Sequence, residues 1–136
     1  MKSKVEKHNH LKLFIENFLQ EGFKERYLVL VKSEKGLRKI KREISHFRKI
    51  NPDLIVKIPS NKQSVGEIYN LLKQNGASQN CFVISEDCRI DGLSADLFDI
   101  LSEVVGSSNG TLLSCIPGKL LYYESEDKKI RMILKK

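Results

Sequence analysis

Tryptophan is missing from the 136 residues, and there are only three prolines and three cysteines. So little proline excludes a polyproline spacer or a proline-rich recognition tract. Cys81, Cys88 and Cys115 form an odd set with no CxxC pair, which argues against the even disulfide framework of a small secreted domain. The same spacing offers no zinc-like ligand pairs, and His8 and His10, two apart, do not share a helix face. No metal or other cofactor is expected. Apolar runs are short, with 27–31 among the longest, so no segment approaches the roughly 20 residues of a membrane helix. Lys12 interrupts the apolar stretch near the N-terminus, which speaks against a secretory signal. A reducing, cytoplasmic setting without membrane contact is the expectation.

What the chain has is a normal apolar supply and an excess of positive charge. Hydrophobic residues make up 40% and charged residues 30%, the balance of an ordinary globular domain. Folding a chain of this size removes about two-thirds of its exposed surface, enough to offset the entropy of ordering. There is no internal repeat, low-complexity tract or linker, so residues 1–136 are read as one domain.

Periodicity divides the chain into elements. Leu11, Phe14, Ile15, Phe18 and Leu19 form a helical stripe, predicting an N-terminal helix over 5–20 with Gly22 as its left-handed stop. Residues 27–31 are expected to be a strand from their β-branched and aromatic content, although five apolar residues also suit a helical turn. Leu37, Ile40, Ile44 and Phe47 predict a helix over 34–49, capped by Ser33 and closed by Asn51-Pro52. A short extended run follows at 54–58. Ser64 and Glu67 form a capping box, and Val65, Ile68, Leu71 and Leu72 supply the face of a helix ending at Gly76. Residues 81–84 read as a strand buried on both faces. Ser94 is expected to cap a helix with Leu97, Leu101, Val104 and Val105 inward and Gly106 at its end.

Three strands, 111–115, 119–124 and 129–134, then follow with very short connections, which permit antiparallel pairing only. The fold class is therefore mixed α/β, with α+β as the alternative. It comprises an N-terminal helix, a central mixed sheet with flanking helices and a C-terminal antiparallel three-stranded meander.

Charge is the strongest functional signal. The net charge is +7, and between Lys32 and Lys49 eight basic residues stand against Glu34 and Glu43, a local excess of six. At about 100° per residue, Lys35, Arg38, Lys39, Arg42 and Lys49 fall together opposite the apolar stripe, with His46 among them. Such a face docks on a polyanion by phosphate contact and counterion release, or on an acidic protein by the same charges. A solvated outer face is the plain alternative. No RNP1, KH or zinc-finger pattern specifies nucleic acid further. Of Tyr122 and Tyr123, adjacent on one strand and so pointing oppositely, at most one is expected free to stack on a base.

Other candidates fail on spacing. A calcium loop from Asp87 has Arg89 at position three and Phe98 at position twelve, where a bidentate Glu is needed. Residues 106–110 leave a helix rather than enter one, which is the wrong polarity for a phosphate cradle. Pro117-Gly118 is a type II turn signature. No catalytic constellation is evident: the three histidines sit far in sequence from the cysteines. Glu86, Asp87 and Asp91 lie at a strand end, where α/β active sites gather, and keep a small hydrolase or nuclease as a third reading. The leading expectation is a non-enzymatic intracellular binding protein docking on RNA or DNA backbone. The second is a protein-interaction module such as an immunity protein, antitoxin or inhibitor.

Overall fold

The computed structural model describes residues 2–44, 48–127 and 130–136. His46 and Phe47, placed above on the basic and apolar faces, and Lys129, at the expected start of the last strand, lie outside the described residues.

Three helices come first: α1 (Lys2–Phe18), α2 (Glu21–Leu30) and α3 (Glu34–Glu43). The stripe of α1 is buried throughout, as expected. It stops at Phe18 because the chain turns to pair Leu19 with Ile50, with Asn51 N–H donating to the Phe18 carbonyl at 2.7 Å. Gly22 therefore lies inside α2, and is not the stop of α1.

The strand expected at 27–31 is also corrected: these residues close α2. Tyr27 and Val31 are buried while Val29 is 62% exposed, the four-residue repeat of a helix rather than the two-residue repeat of a strand. Ser33 caps α3 as expected, accepting from Gly36 N–H at 3.0 Å. This helix is shorter than the predicted 34–49.

Strand β1 (Ile55–Lys57) follows a 3-10 turn at Pro52–Leu54, and α4 (Val65–Gln74) carries the capping box. There Ser64 Oγ accepts from Glu67 N–H at 3.2 Å and donates to Glu67 Oε1 at 2.9 Å. After β2 (Asn80–Ser85), Ser94 does not cap a helix. It opens a short strand, β3 (Ser94–Asp96), and Asp96 caps α5 (Leu97–Val104), accepting from Asp99 N–H at 3.1 Å. The C-terminal meander is β4 (Thr111–Ile116), β5 (Leu120–Glu124) and β6 (Arg131–Lys135), its first turn closed by Lys119 N–H to the Ile116 carbonyl at 2.9 Å.

The six strands form one sheet in the order β1-β6-β5-β4-β2-β3. Among the described residues every pairing is antiparallel, so the mixed strand directions expected for the central sheet are not found there, within a mixed α/β single domain otherwise as anticipated. Short connections are the reason for β2–β3, β4–β5 and β5–β6, since a parallel pair needs a crossover of a dozen or more residues; β2–β4 and β1–β6 join strands distant in sequence.

Alternation along the strands splits the core in two. Phe82, Ile84, Leu112, Leu121, Tyr123 and Leu134 face α1, α2 and α3. Cys81, Val83, Leu113, Cys115, Tyr122 and Ile133 face α4 and α5. Both faces are covered, and so both Tyr122 and Tyr123 are fully buried; neither is free to stack on a base.

Candidate anion-binding site

Helix α3 is positioned by its apolar side. Gly36 and Ile40 are buried in the helix, and Ile44 is buried just after it. The opposite side carries Lys35, Arg38, Lys39 and Arg42 at i, i+3, i+4 and i+7, one continuous row. Lys35, Arg38 and Arg42 are exposed and Lys39 is half-buried. Among the described residues no carboxylate lies within 4.0 Å of these four cations. None of the four is held in an ion pair among the described residues, and Lys35, Arg38 and Arg42 face solvent.

Lys49, the fifth predicted member, is placed elsewhere. It follows α3 and folds back on α2, with Nζ 3.5 Å from Glu43 Oε1. The same ammonium lies 5.6 Å from the Phe23 ring centroid and 5.7 Å from that of Tyr27. Tyr27 donates to Glu43 Oε1 at 2.5 Å. Burial and the Glu43 bond raise the Tyr27 phenol, and its hydrogen bond to Tyr27 raises the Lys49 ammonium. Lys49 is engaged in an aromatic and acidic corner, and does not extend the row.

One flank of α3 borders a cavity of about 500 Å³. Val5, Leu11, Val31, Leu37 and Ile84, from α1, α2, α3 and β2, give it an apolar floor; Lys7, Lys32, Arg38 and Lys41 bring cations to it, and Glu34 brings one acid. His8, also on its wall, donates from Nδ1 to the Val31 carbonyl at 3.1 Å, which fixes the proton on that nitrogen.

The cations at this cavity are organised by Asp91, from the β2–β3 turn. Asp91 Oδ2 lies 2.6 Å from Lys7 Nζ and 3.0 Å from Lys41 Nζ, and its side chain is only 7% exposed. Its Oδ1 accepts from Ser85 N–H at 3.0 Å. Burial alone would push this carboxyl up; the Lys7 ammonium, the Ser85 N–H and the Lys41 ammonium outweigh it and hold the group below its ordinary value. One carboxylate therefore serves two ammonium groups, leaving a net positive charge fixed at the cavity wall.

Charge counting places Lys41 on the basic segment but off its solvent face, and gives no weight to Lys7. The 100° projection carries the relevant signal, since it sets Lys41 beside Leu37 at the edge of the apolar stripe. Nothing in sequence ties either lysine to Asp91, which is 84 residues from Lys7.

Two of the three acids named for hydrolysis are held in ion pairs. Asp87 is held below its usual value by Arg89, which it pairs at 2.8 Å in an exposed turn, while Asp91 is consumed by the lysines. His10 approaches Ser114, its Nδ1 2.7 Å from Oγ, rather than a cysteine. Burial pushes the Cys81 thiol up to about 12 and that of Cys115 higher still, which leaves neither a ready nucleophile. Among the described residues no three His, Cys, Asp or Glu side chains converge on a metal position, and no helix is long and apolar enough to cross a membrane.

No protein-family model, curated protein or solved structure matches the chain.

Proposed function

We propose that this chain is a non-catalytic binding protein that lays α3 against the phosphate backbone of RNA or DNA. The supporting observation is the row Lys35, Arg38, Lys39 and Arg42: four cations on one solvent-facing side, with no carboxylate in reach among the described residues. From the first to the last the helix rises about 10 Å, about the axial rise of three base-pair steps of B-DNA at 3.4 Å each. Two of the four are arginines, whose planar fork suits phosphate oxygens. With Tyr122 and Tyr123 both buried, the contact is read as one to the backbone with little sequence readout. The free thiols of Cys81, Cys88 and Cys115 support a reducing, cytoplasmic setting for it.

The test is fluorescence anisotropy with a labelled duplex RNA and a duplex DNA across a salt series. The wild type should bind at low salt and lose affinity steeply as salt rises. Arg38→Glu with Arg42→Glu should abolish binding while leaving the circular dichroism spectrum unchanged. Undiminished binding by that folded double variant sinks the proposal.

A further inference from the structure

We infer that the cavity between α1 and α3 is a binding site for a single-chain amphiphilic anion: an apolar chain ending in a carboxylate or monoester phosphate. The inference stands apart from the docking of α3 on nucleic acid, because its residues lie on the flank and floor, with Arg38 alone common to both.

Three observations converge on this ligand class. The cavity, about 500 Å³, is within the roughly 300–1,000 Å³ range of small-molecule sites. Its floor is aliphatic and drawn from four different elements, with Leu11, Val31 and Ile84 at the base and Val5 and Leu37 carrying the accessible apolar surface, while the ring of His8 is tied to the Val31 carbonyl. At the wall, Lys7 and Lys41 share the single carboxylate of Asp91 at 2.6 and 3.0 Å. Each ammonium has three donors, and an ion pair with one oxygen uses one of them. The remaining donors and the surplus charge are held in a partly desolvated place, where attraction to an anion is stronger than in bulk water.

With Glu34 and Asp91 both counted, the four cations at the cavity still leave a surplus of two, which a neutral chain would leave unanswered and which would repel a cationic one. A multiply charged polar molecule would leave the aliphatic floor in contact with polar groups. An anionic head on an aliphatic tail satisfies both halves of the cavity at once.

Fatty acids and monoalkyl phosphates share this chemistry, and paired calorimetric titrations of the full chain with decanoate and with decyl phosphate distinguish them. Saturable one-to-one binding of at least one is expected, with decanol and decyltrimethylammonium at least tenfold weaker. Intermolecular NOEs from the bound chain should reach the methyl groups of Leu11, Val31, Leu37 and Ile84.

Two variants then test the head-group contact in opposite directions. Lys7→Met with Lys41→Met should weaken binding at least tenfold. Asp91→Asn keeps an oxygen for Ser85 N–H and frees both ammonium groups, so it should tighten binding at least threefold, an effect that general loosening of the fold would not produce. Failure of both anions to bind, decanol binding as tightly as decanoate, NOEs confined to other methyls, or an Asp91→Asn variant that binds no tighter would each overturn the assignment. None of these results bears on α3 and nucleic acid, which the anisotropy experiment addresses separately.

Discussion

A Cβ built on Gly36 would lie 1.8 Å from the Leu30 carbonyl oxygen and 2.6 Å from its carbonyl carbon. Helices α2 and α3 thus meet backbone to backbone, and the tight hairpin that turns the basic row outward exists because position 36 has no side chain. The obstacle is main chain, which a rotamer change cannot relieve. Gly36→Ala should therefore destabilise by at least about 2 kcal/mol, the scale of an overpacked or strained core site. Gly22 and Gly66, by contrast, are helical, and a Cβ added at either would meet nothing within 4 Å. There Ala should stabilise by a few tenths to about 1 kcal/mol through helix propensity and a less flexible unfolded chain. Urea unfolding midpoints of the three variants check the opposite signs.

His10 ties α1 to the centre of the sheet. Its ring stacks on Phe82 at 4.4 Å between centroids and 3° between planes, and its Nδ1 meets Ser114 Oγ. Burial lowers its pKa, with Glu6 opposing weakly. The folded state then binds the proton less well than the unfolded chain, so stability is complete above about pH 6.5 and falls as pH drops through that region. Melting temperatures measured from about pH 7.5 to 5 should decline for the wild type. His10→Gln, which keeps a polar partner for Ser114 but cannot titrate, should flatten that decline. Equal slopes in the two proteins would show that His10 is not the linked group.

Glu124 is fully buried, and its carboxylate gathers the loop after α5. It accepts from Gly106 N–H at 3.0 Å and from the Tyr122 hydroxyl at 2.8 Å, and pairs with Arg131 Nε at 3.4 Å. Burial, followed by the Glu124 charge, pushes the Tyr122 phenol well above its ordinary value. Glu124→Gln removes the charge that compensates a guanidinium only 15% exposed, a change that costs about 3–5 kcal/mol when a buried pair loses one member. The urea midpoint should drop accordingly with the denaturant slope unchanged. Hydrogen exchange at the Gly106 amide should accelerate first.

Elements with several turns of consistent periodicity were legible from sequence. The α1 stripe, the Ser64 and Glu67 box and the closely spaced C-terminal strands each carry their signal within one local stretch. The failures occur where a distant contact decides a local choice. Valines at 29 and 31 favour a strand by propensity, yet the buried pair Tyr27 and Val31 belongs to a helix packed against α3. Leu19 leaves α1 because Ile50 pairs with it, and that pairing is invisible locally. At the candidate site the row Lys35, Arg38, Lys39 and Arg42 follows from helix geometry alone. The cavity does not, because Lys7, Lys41 and Asp91 meet only when α1, α3 and the β2–β3 turn are assembled.

Lys49 supplies the sharpest separation between charge count and charge placement. Helical projection puts it in line with Arg38 and Arg42; the fold instead sets it against Glu43, Phe23 and Tyr27. A cation already paired and stacked releases few counterions on docking, whereas one facing solvent releases close to a full one. If α3 binds a duplex backbone, the slope of log affinity against log salt should approach about −3.6 for four contacts, at about 0.9 per contact. Lys35→Met and Arg42→Met should each make the slope shallower by about 0.9. Lys49→Met should leave it unchanged and instead lower the melting temperature, since it strips a partner from Glu43 and a cation from two rings. Anisotropy titrations at four salt concentrations and a thermal melt of each variant resolve the two effects. A slope that changes with Lys49 as much as with Arg42 would return Lys49 to the binding row.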